Sequence, residues 1–331
     1  MFYSFVIPVY NRPDEINELL ESLAHQQYGK PFEVVVVEDG SDITCKHITE
    51  QYSGILDVKY YFKLNSGPGD SRNFGMSVAN GTYFIILDSD CILPQDYLKE
   101  VDKYLEQNYV DCFGGPDAAH ESFTDIQKAI NQSMTSFLTT GGVRGGSEKL
   151  GKFQPRSFNM GLSKKAFEAS KGYGKIHPGE DPDLSIRLWK MHFRTDLIPN
   201  AYVFHKRRIN WEKFYKQVNK FGKARPILNK RYPEYAKMMF WFPSVFMLGL
   251  MVSFLLLFFN IKLFIYVYIL YFAALFVEGI IKTKNVKISF LTLIAAFIQF
   301  SGYGAGFLYS YYLLYIKGQK AETAMPEMFF K

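Results

Sequence analysis

Over the first 120 residues, short apolar runs alternate with longer amphipathic stretches. YSFVIPV reads as a strand, and NRPDEINELLESLAHQQ as a helix with Asn11 as its N-cap, Pro13 in the first turn and acids at its start. EVVVVEDG is a second strand, Cys45 to Tyr52 a short helix, DVKYYFK a third strand, GDSRNFGMSVAN a helix stopped by Gly81, and TYFIIL a fourth strand. Strands that are apolar on both faces and alternate with helices predict a mostly parallel, doubly wound α/β sheet covered on both sides. Ligands of such sheets bind outside the carboxyl ends of the strands. The polar clusters PVYNRP, EDGS, NSGPGDSRN and DSD all fall there.

After Pro116 the pattern loosens. A helix is expected at Ser122 to Leu138, a mobile glycine-rich loop at Gly141 to Phe153, a helix opening at GEDPDLSIRLWKMH, a strand pair RTDLIP and AYVFH, and a basic helix NWEKFYKQVNKFGKARPIL. From Phe240 the chain becomes almost continuously apolar. Phe240 to Phe259 and Leu263 to Ile281, joined by NIK, each suit a membrane-crossing helix. The uncharged run Ile288 to Ile316 contains SGYGAGF, small residues suited to close helix packing, and either spans with tilt or breaks near Gly302. Glu278 is expected at the interface. The scheme is a domain at 1–205 in two halves, 1–120 and 121–205, then a basic juxtamembrane segment at 206–238, two or three transmembrane helices at 239–317 and a tail at 318–331.

Charge follows the same division. Residues 1–205 hold 20 Lys and Arg against 27 Asp and Glu, whereas residues 206–237 hold 11 against 2. A basic belt directly before the first apolar span suits anionic lipid and places the preceding domain on the cytoplasmic side of an inner membrane. Its place beside the spans argues against nucleic acid. Three scattered cysteines, Cys45, Cys91 and Cys112, fit a reducing compartment without disulfides. The start, MFYSFVIPVYNRP, has no basic n-region and reads as no signal peptide.

The glycine loop SGPGDSRNFG lacks the order of a dinucleotide fingerprint, and no P-loop motif occurs. What remains is acidic. Asp88 and Asp90, one residue apart at a strand end, point to the same side and repel unless a cation or solvent meets them. With Asp39, Glu180, Asp181 and Asp183, and with neither paired histidines nor clustered cysteines, they favour Mn²⁺ or Mg²⁺ and a diphosphate-bearing ligand. Structural roles stay open for several of these residues: Asp39 as a turn residue, Arg72 in a surface salt bridge, His205 as a packed histidine, and Asp183 at the positive end of a helix dipole.

In order, FVIPVYNRPDEINELLESL, VVVVEDGS, NSGPGDSRNFG, ILDSD, FNMGLSKKAF and GEDPDLSIRLWK resemble glycosyltransferase family 2, inverting enzymes of the GT-A fold that use nucleotide-diphosphate sugars. The resemblance covers roughly residues 1–225. It implies that Pro8, Tyr10, Asn11 and Arg12 line the base and diphosphate, that Asp39 reads the base edge, and that Arg72 and Asn73 hold the nucleotide. Asp88 would contact ribose or metal, with Ser89 on the nucleotide-sugar side. Asp90 would bind the metal, with His205 as a further ligand. Gly179 to Asp181 would supply the catalytic base: Asp181, with Glu180 beside it, the reverse assignment staying open. Inversion in one displacement needs a carboxylate on the acceptor side and a Lewis acid at the departing diphosphate.

The expectation is thus a metal-dependent transferase, with UDP favoured in the donor, acting on a lipid-linked saccharide or glycan acceptor for envelope polysaccharide or glycolipid. One alternative is a processive polysaccharide synthase. The Q-x-x-R-W motif of such enzymes is absent, Gln217 and Arg225 in YKQVNKFGKAR being the nearest feature. The other is a non-catalytic nucleotide-sugar-binding membrane scaffold, which would have lost the carboxylates present here.

Overall fold

The protein is described by a computed structural model in which residues 1–118, 120, 122–141, 152–206 and 210–330 are placed. Residues 142–151 of the glycine-rich segment, and with them most of the expected mobile loop, lie outside these. The chain divides into two compact units. The first holds residues 1–120, 146–206 and 330–331, and the second holds 121–145 and 207–329.

The first unit opens with β1 (Tyr3–Val9), α1 (Pro13–Ala24), β2 (Glu33–Asp39), α2 (Lys46–Tyr52), β3 (Asp57–Lys63), α3 (Pro68–Val78) and β4 (Tyr83–Leu87). It continues through β5 (Cys91–Ile92), α4 (Tyr97–Gln107), β6 (Cys112–Gly114) and β7 (Asp117–Ala118). In the second unit, α5 (Asp125–Thr135) and α6 (Phe137–Thr140) follow. The chain then returns to the first for β8 (Asn159–Ser163), α7 (Lys164–Ser170), α8 (Glu180–Lys190), β9 (Thr195–Leu197) and β10 (Val203–His205).

Seven strands form one sheet in the order β3-β2-β1-β4-β8-β6-β9, and β5-β10-β7 form a small second sheet. Only β8 runs against the others in the large sheet. The period-two alternation of side chains sorts two cores. Tyr3, Phe5, Ile7 and Val9 meet Leu19, Leu20 and Leu23 of α1 and Leu98 and Val101 of α4. On the opposite face Val6, Val35, Val37 and Phe84 meet Met76 of α3 and Leu184 and Leu188 of α8. α3 comes this close because residue 75 is glycine: a Cβ there would sit 2.5 Å from Val6 Cγ1.

Three sequence expectations need correction. The N-cap of α1 is Arg12, without a side-chain cap bond, because Asn11 adopts left-handed backbone (φ 52°) and turns its amide elsewhere. The helix expected from Ser122 is two, broken at Ser136, whose ψ of 138° leaves helical space while its hydroxyl caps α6. RTDLIP and AYVFH do not pair with each other. β9 extends the large sheet beside β6, and after the turn at Ile198–Ala201, β10 joins β5 and β7 instead.

Among the described residues, the regular structure of the second unit is all helical. Besides α5 and α6 it holds α9 (Trp211–Arg231), α10 (Phe242–Phe258), α11 (Leu263–Thr283) and α12 (Val286–Tyr311). Three of its helical stretches, Met238–Phe258, Leu263–Thr283 and Val286–Ile316, are long and apolar enough to cross a membrane. α12 runs through Gly302 without a break. Its glycines serve packing. A Cβ on Gly306 would lie 2.2 Å from the Asn219 carbonyl of α9, and one on Gly222 of α9 would lie 2.1 Å from the Tyr303 carbonyl. Glu278 is bound on both sides, accepting from Ser136 Oγ at 2.5 Å and pairing with Lys282 at 2.6 Å.

Candidate active site

The carboxyl ends of β1, β2 and β4 deliver PVYNR, EDG and DSD to one edge of the large sheet. β8, running the other way, brings Asn159 opposite Leu87, so its entry lies at that same edge. Pro8 is buried within β1, whereas Tyr10 is 52 % exposed.

Asp39, buried at the end of β2, is first of all a loop clamp. Its Oδ1 accepts from Lys63 Nζ at 2.9 Å and Ser66 N at 3.0 Å, and its Oδ2 from Gly67 N at 2.9 Å. Oδ2 thus has acceptor capacity beyond that one bond. Asn11 is similarly occupied. Its Oδ1 accepts from the amides of Asp42 and Ile43, and its own N–H donates to Ser41 Oγ at 2.7 Å. Asn73 exchanges two bonds with Tyr173, donating to its carbonyl at 2.9 Å and accepting from its N–H at 2.8 Å. These side chains shape the loops around the site by binding backbone.

Arg72 ties the two acidic groups together. Buried in α3, it donates from Nη2 to Asp88 Oδ1 at 2.7 Å and from Nη1 to Glu180 Oε1 at 3.3 Å, and its guanidinium lies 5.3 Å from the Tyr173 ring centroid. The clusters that stand some ninety residues apart in sequence share one cation.

Asp90 and His205 meet through the pairing of β5 with β10, which sets His205 opposite Cys91. His205 Nε2 lies 3.3 Å from Asp90 Oδ1, and Arg12 Nη1 donates to Asp90 Oδ2 at 2.9 Å. The imidazole stacks on Phe158, centroids 4.7 Å apart, which holds the ring plane. Ser89 is buried between the two aspartates. Asp90, Cys91 and His205 offer ligand atoms within 4.8 Å of one another, the only such group among the described residues. The Cys91 thiol bonds the Phe158 carbonyl, leaving a carboxylate and an imidazole. That donor pair fits Mn²⁺ or Mg²⁺ completed by water and phosphate oxygens.

Glu180 and Asp181 open α8 and are adjacent, yet their environments push them apart. Burial opposes charge on Glu180, but His177 Nδ1 at 2.9 Å and Arg72 outweigh it and hold the carboxyl well below the usual range. Burial, and next the charge of Glu180, push Asp181 well above that range, with Arg72 and Arg156 only partly offsetting them. Asp181 Oδ1 is buried and has no hydrogen-bond partner among the described residues. The carboxylate also accepts a backbone hydrogen bond from Ser157, but its Oδ1 stays open, and a raised carboxyl with one open oxygen is suited to take a proton from a hydroxyl. Asp183 instead accepts from Arg187 Nε at 2.9 Å, one turn along the helix. Sequence reasoning missed His177. Its signal was the spacing HPGE, which sets a histidine three residues before the acid.

The family model of Glycosyl transferase family 2 matches residues 4–169, half of the chain. The chain belongs to glycosyltransferase family 2. It is 37% identical over 114 residues to the poly(ribitol-phosphate) beta-N-acetylglucosaminyltransferase TarS of Staphylococcus aureus, a match covering 34% of this chain and 20% of that protein. It is 31% identical over 153 residues to the glycosyltransferase AglE of Haloferax volcanii, covering 42% of this chain and 50% of AglE. The matches thus span a fifth to a half of these relatives' length.

Among solved structures, a mannosyltransferase of Pyrobaculum calidifontis in complex with GDP-Man and Mn²⁺ superimposes with a TM-score of 0.54 at 16% identity, covering 71% of this chain and 65% of that one. Residues 1–349 of S. aureus TarS superimpose with 0.51 at 19% identity, over 96% and 92%. At such identities the likeness is one of fold, and the fold is GT-A. The chain is therefore a member of glycosyltransferase family 2 with a GT-A sheet and, among the described residues, three helices long and apolar enough to cross a membrane.

Proposed function

We propose that the protein is a membrane-anchored, metal-dependent inverting glycosyltransferase that moves a sugar from a nucleotide diphosphate, preferably UDP, to a lipid-linked saccharide at the cytoplasmic face of an inner membrane. The observation that carries the reading is the contrast between the two neighbours: Glu180 is bonded to His177 and Arg72 and held low, whereas Asp181 is buried, held high and keeps Oδ1 without a partner among the described residues, beside an Arg72 that reaches across to Asp88. The TarS fragment was also solved in complex with UDP-GlcNAc, and superimposes with a TM-score of 0.50.

Asp181 takes the proton of the acceptor hydroxyl as its oxygen attacks the anomeric carbon. Glu180 does not compete for that proton, because His177 and Arg72 stabilise its charge. On the donor side, Asp90 and His205 would hold a divalent ion, whereas Asp88 lies outside that group and bonds Arg72; the ion would supply Lewis-acid neutralisation of the departing diphosphate. Arg12 and Arg72 add positive charge on that side and orient the two aspartates. The basic belt at 206–237 and the apolar helices support an acceptor at a lipid surface.

Purified protein in detergent, supplied with UDP-sugars, Mn²⁺ and a lipid extract, tests this. Release of UDP that depends on Asp90 and Asp181 is expected. Turnover surviving both Asp90→Ala and Asp181→Asn would overturn the mechanism.

A further inference from the structure

Phe330 groups with the first unit, far in sequence from everything it touches. Its ring lies against Gly67 so closely that a Cβ there would sit 2.4 Å from three ring atoms. The ring also meets the imidazole of His177, centroids 5.2 Å apart and planes tilted by 41°. The backbone N–H of Phe330 donates to the Lys175 carbonyl at 3.0 Å. Phe330 therefore contacts two loops of the site at once. One is the 65–67 loop, whose amides Asp39 clamps. The other is the 175–179 loop, whose His177 holds Glu180.

We infer that Phe330 is a positioning residue for the reaction. It is a wedge that sets His177, and through it Glu180 beside the base, while bracing the loop that Asp39 organises. The role rests on the reading of Asp181 and Glu180 given above. Gly67 carries φ 95° and no side chain, so the seat for the ring is built into the backbone. An off-site change that displaces a base by a fraction of an ångström lowers turnover without removing any group that touches substrate.

The test uses the full chain in detergent with a panel of UDP-sugars and Mn²⁺. Phe330→Ala should lower kcat about tenfold, and Phe330→Leu, which keeps an apolar wedge, should recover most of it. If the effect passes through His177, the double variant Phe330→Ala/His177→Gln should be no slower than His177→Gln alone. Independently of turnover, hydrogen exchange in Phe330→Ala should rise together at 65–68 and 175–181. An unchanged or faster kcat, additive losses in the cycle, or exchange that rises in one loop only would overturn the proposal. A wild-type protein silent with every donor would instead overturn the catalytic reading, and the role of Phe330 in turnover with it.

Discussion

Arg72 donates to Asp88 at 2.7 Å while its other terminal nitrogen stands 3.3 Å from Glu180, so one guanidinium is shared between the two acidic clusters, the donor and base sides of the proposed reaction. A lysine carries a point charge and cannot form that fork. Arg72→Lys is expected to lower kcat by about two orders of magnitude, as misplacement in a site does, and to lower the melting temperature as well. Thermal melting alongside UDP release measures both, and a variant of full activity would show the bridge to be dispensable.

Glu180 shapes the pH dependence. As the proposed base, Asp181 would act only when deprotonated, and its carboxyl is raised by burial and by the charge of Glu180. Turnover should therefore climb with pH through a limb above the usual carboxylate range. Glu180→Gln removes the like charge and frees Arg72 to favour ionised Asp181, so the limb should move to lower pH. A limb that stays in place or moves up contradicts the assignment.

The proposed pair of metal ligands, Asp90 and His205, can be tested by metal removal. A chelator should abolish turnover and added Mn²⁺ should restore it. His205→Ala should raise the Mn²⁺ concentration needed by no less than the roughly 10- to 100-fold that follows loss of an outer-shell partner. Activity undisturbed by chelation would remove the metal from the mechanism.

Asn73 separates scaffold from site. Both ends of its amide are spent on Tyr173 backbone, so Asn73→Ala should cost about 1–3 kcal/mol, the range for buried polar groups left unpaired. Nucleotide-induced thermal stabilisation of the folded fraction should persist. If binding of UDP disappears while stability holds, the residue belongs to the ligand after all.

In the second unit Gly306 packs where a Cβ would meet the Asn219 carbonyl at 2.2 Å. Gly306→Ala is expected to force α9 from α12 and to destabilise by about 1–3 kcal/mol. Detergent melting curves report it, and an unshifted curve would show that the helices adjust freely.

Much of this was legible in the chain. β1 and β3 coincide with the stretches YSFVIPV and DVKYYFK read from the sequence, and β1 is buried throughout. The pair Asp88 and Asp90 announced itself by its position after an apolar strand. The jobs of Asn11, Asp39 and Asn73 were not legible, since each binds backbone amides or carbonyls of distant loops, and a backbone group has no sequence signature. Arg72 as a bridge was equally hidden: it needs α3, β4 and α8 in place, and no spacing encodes three elements meeting. The split destination of β9 and β10 depended on partners β6 and β5, both only two or three residues long.

The two-residue pairing of β5 with β10 has a consequence for biosynthesis. Asp90 emerges from the ribosome 115 residues ahead of His205. A nascent chain can thus display its whole donor-side edge, yet it lacks the imidazole until the soluble half is finished and the basic belt is next to be made. Any ion held by this pair, as proposed above, can therefore be captured only after residue 205 is made, while the apolar helices are still to come.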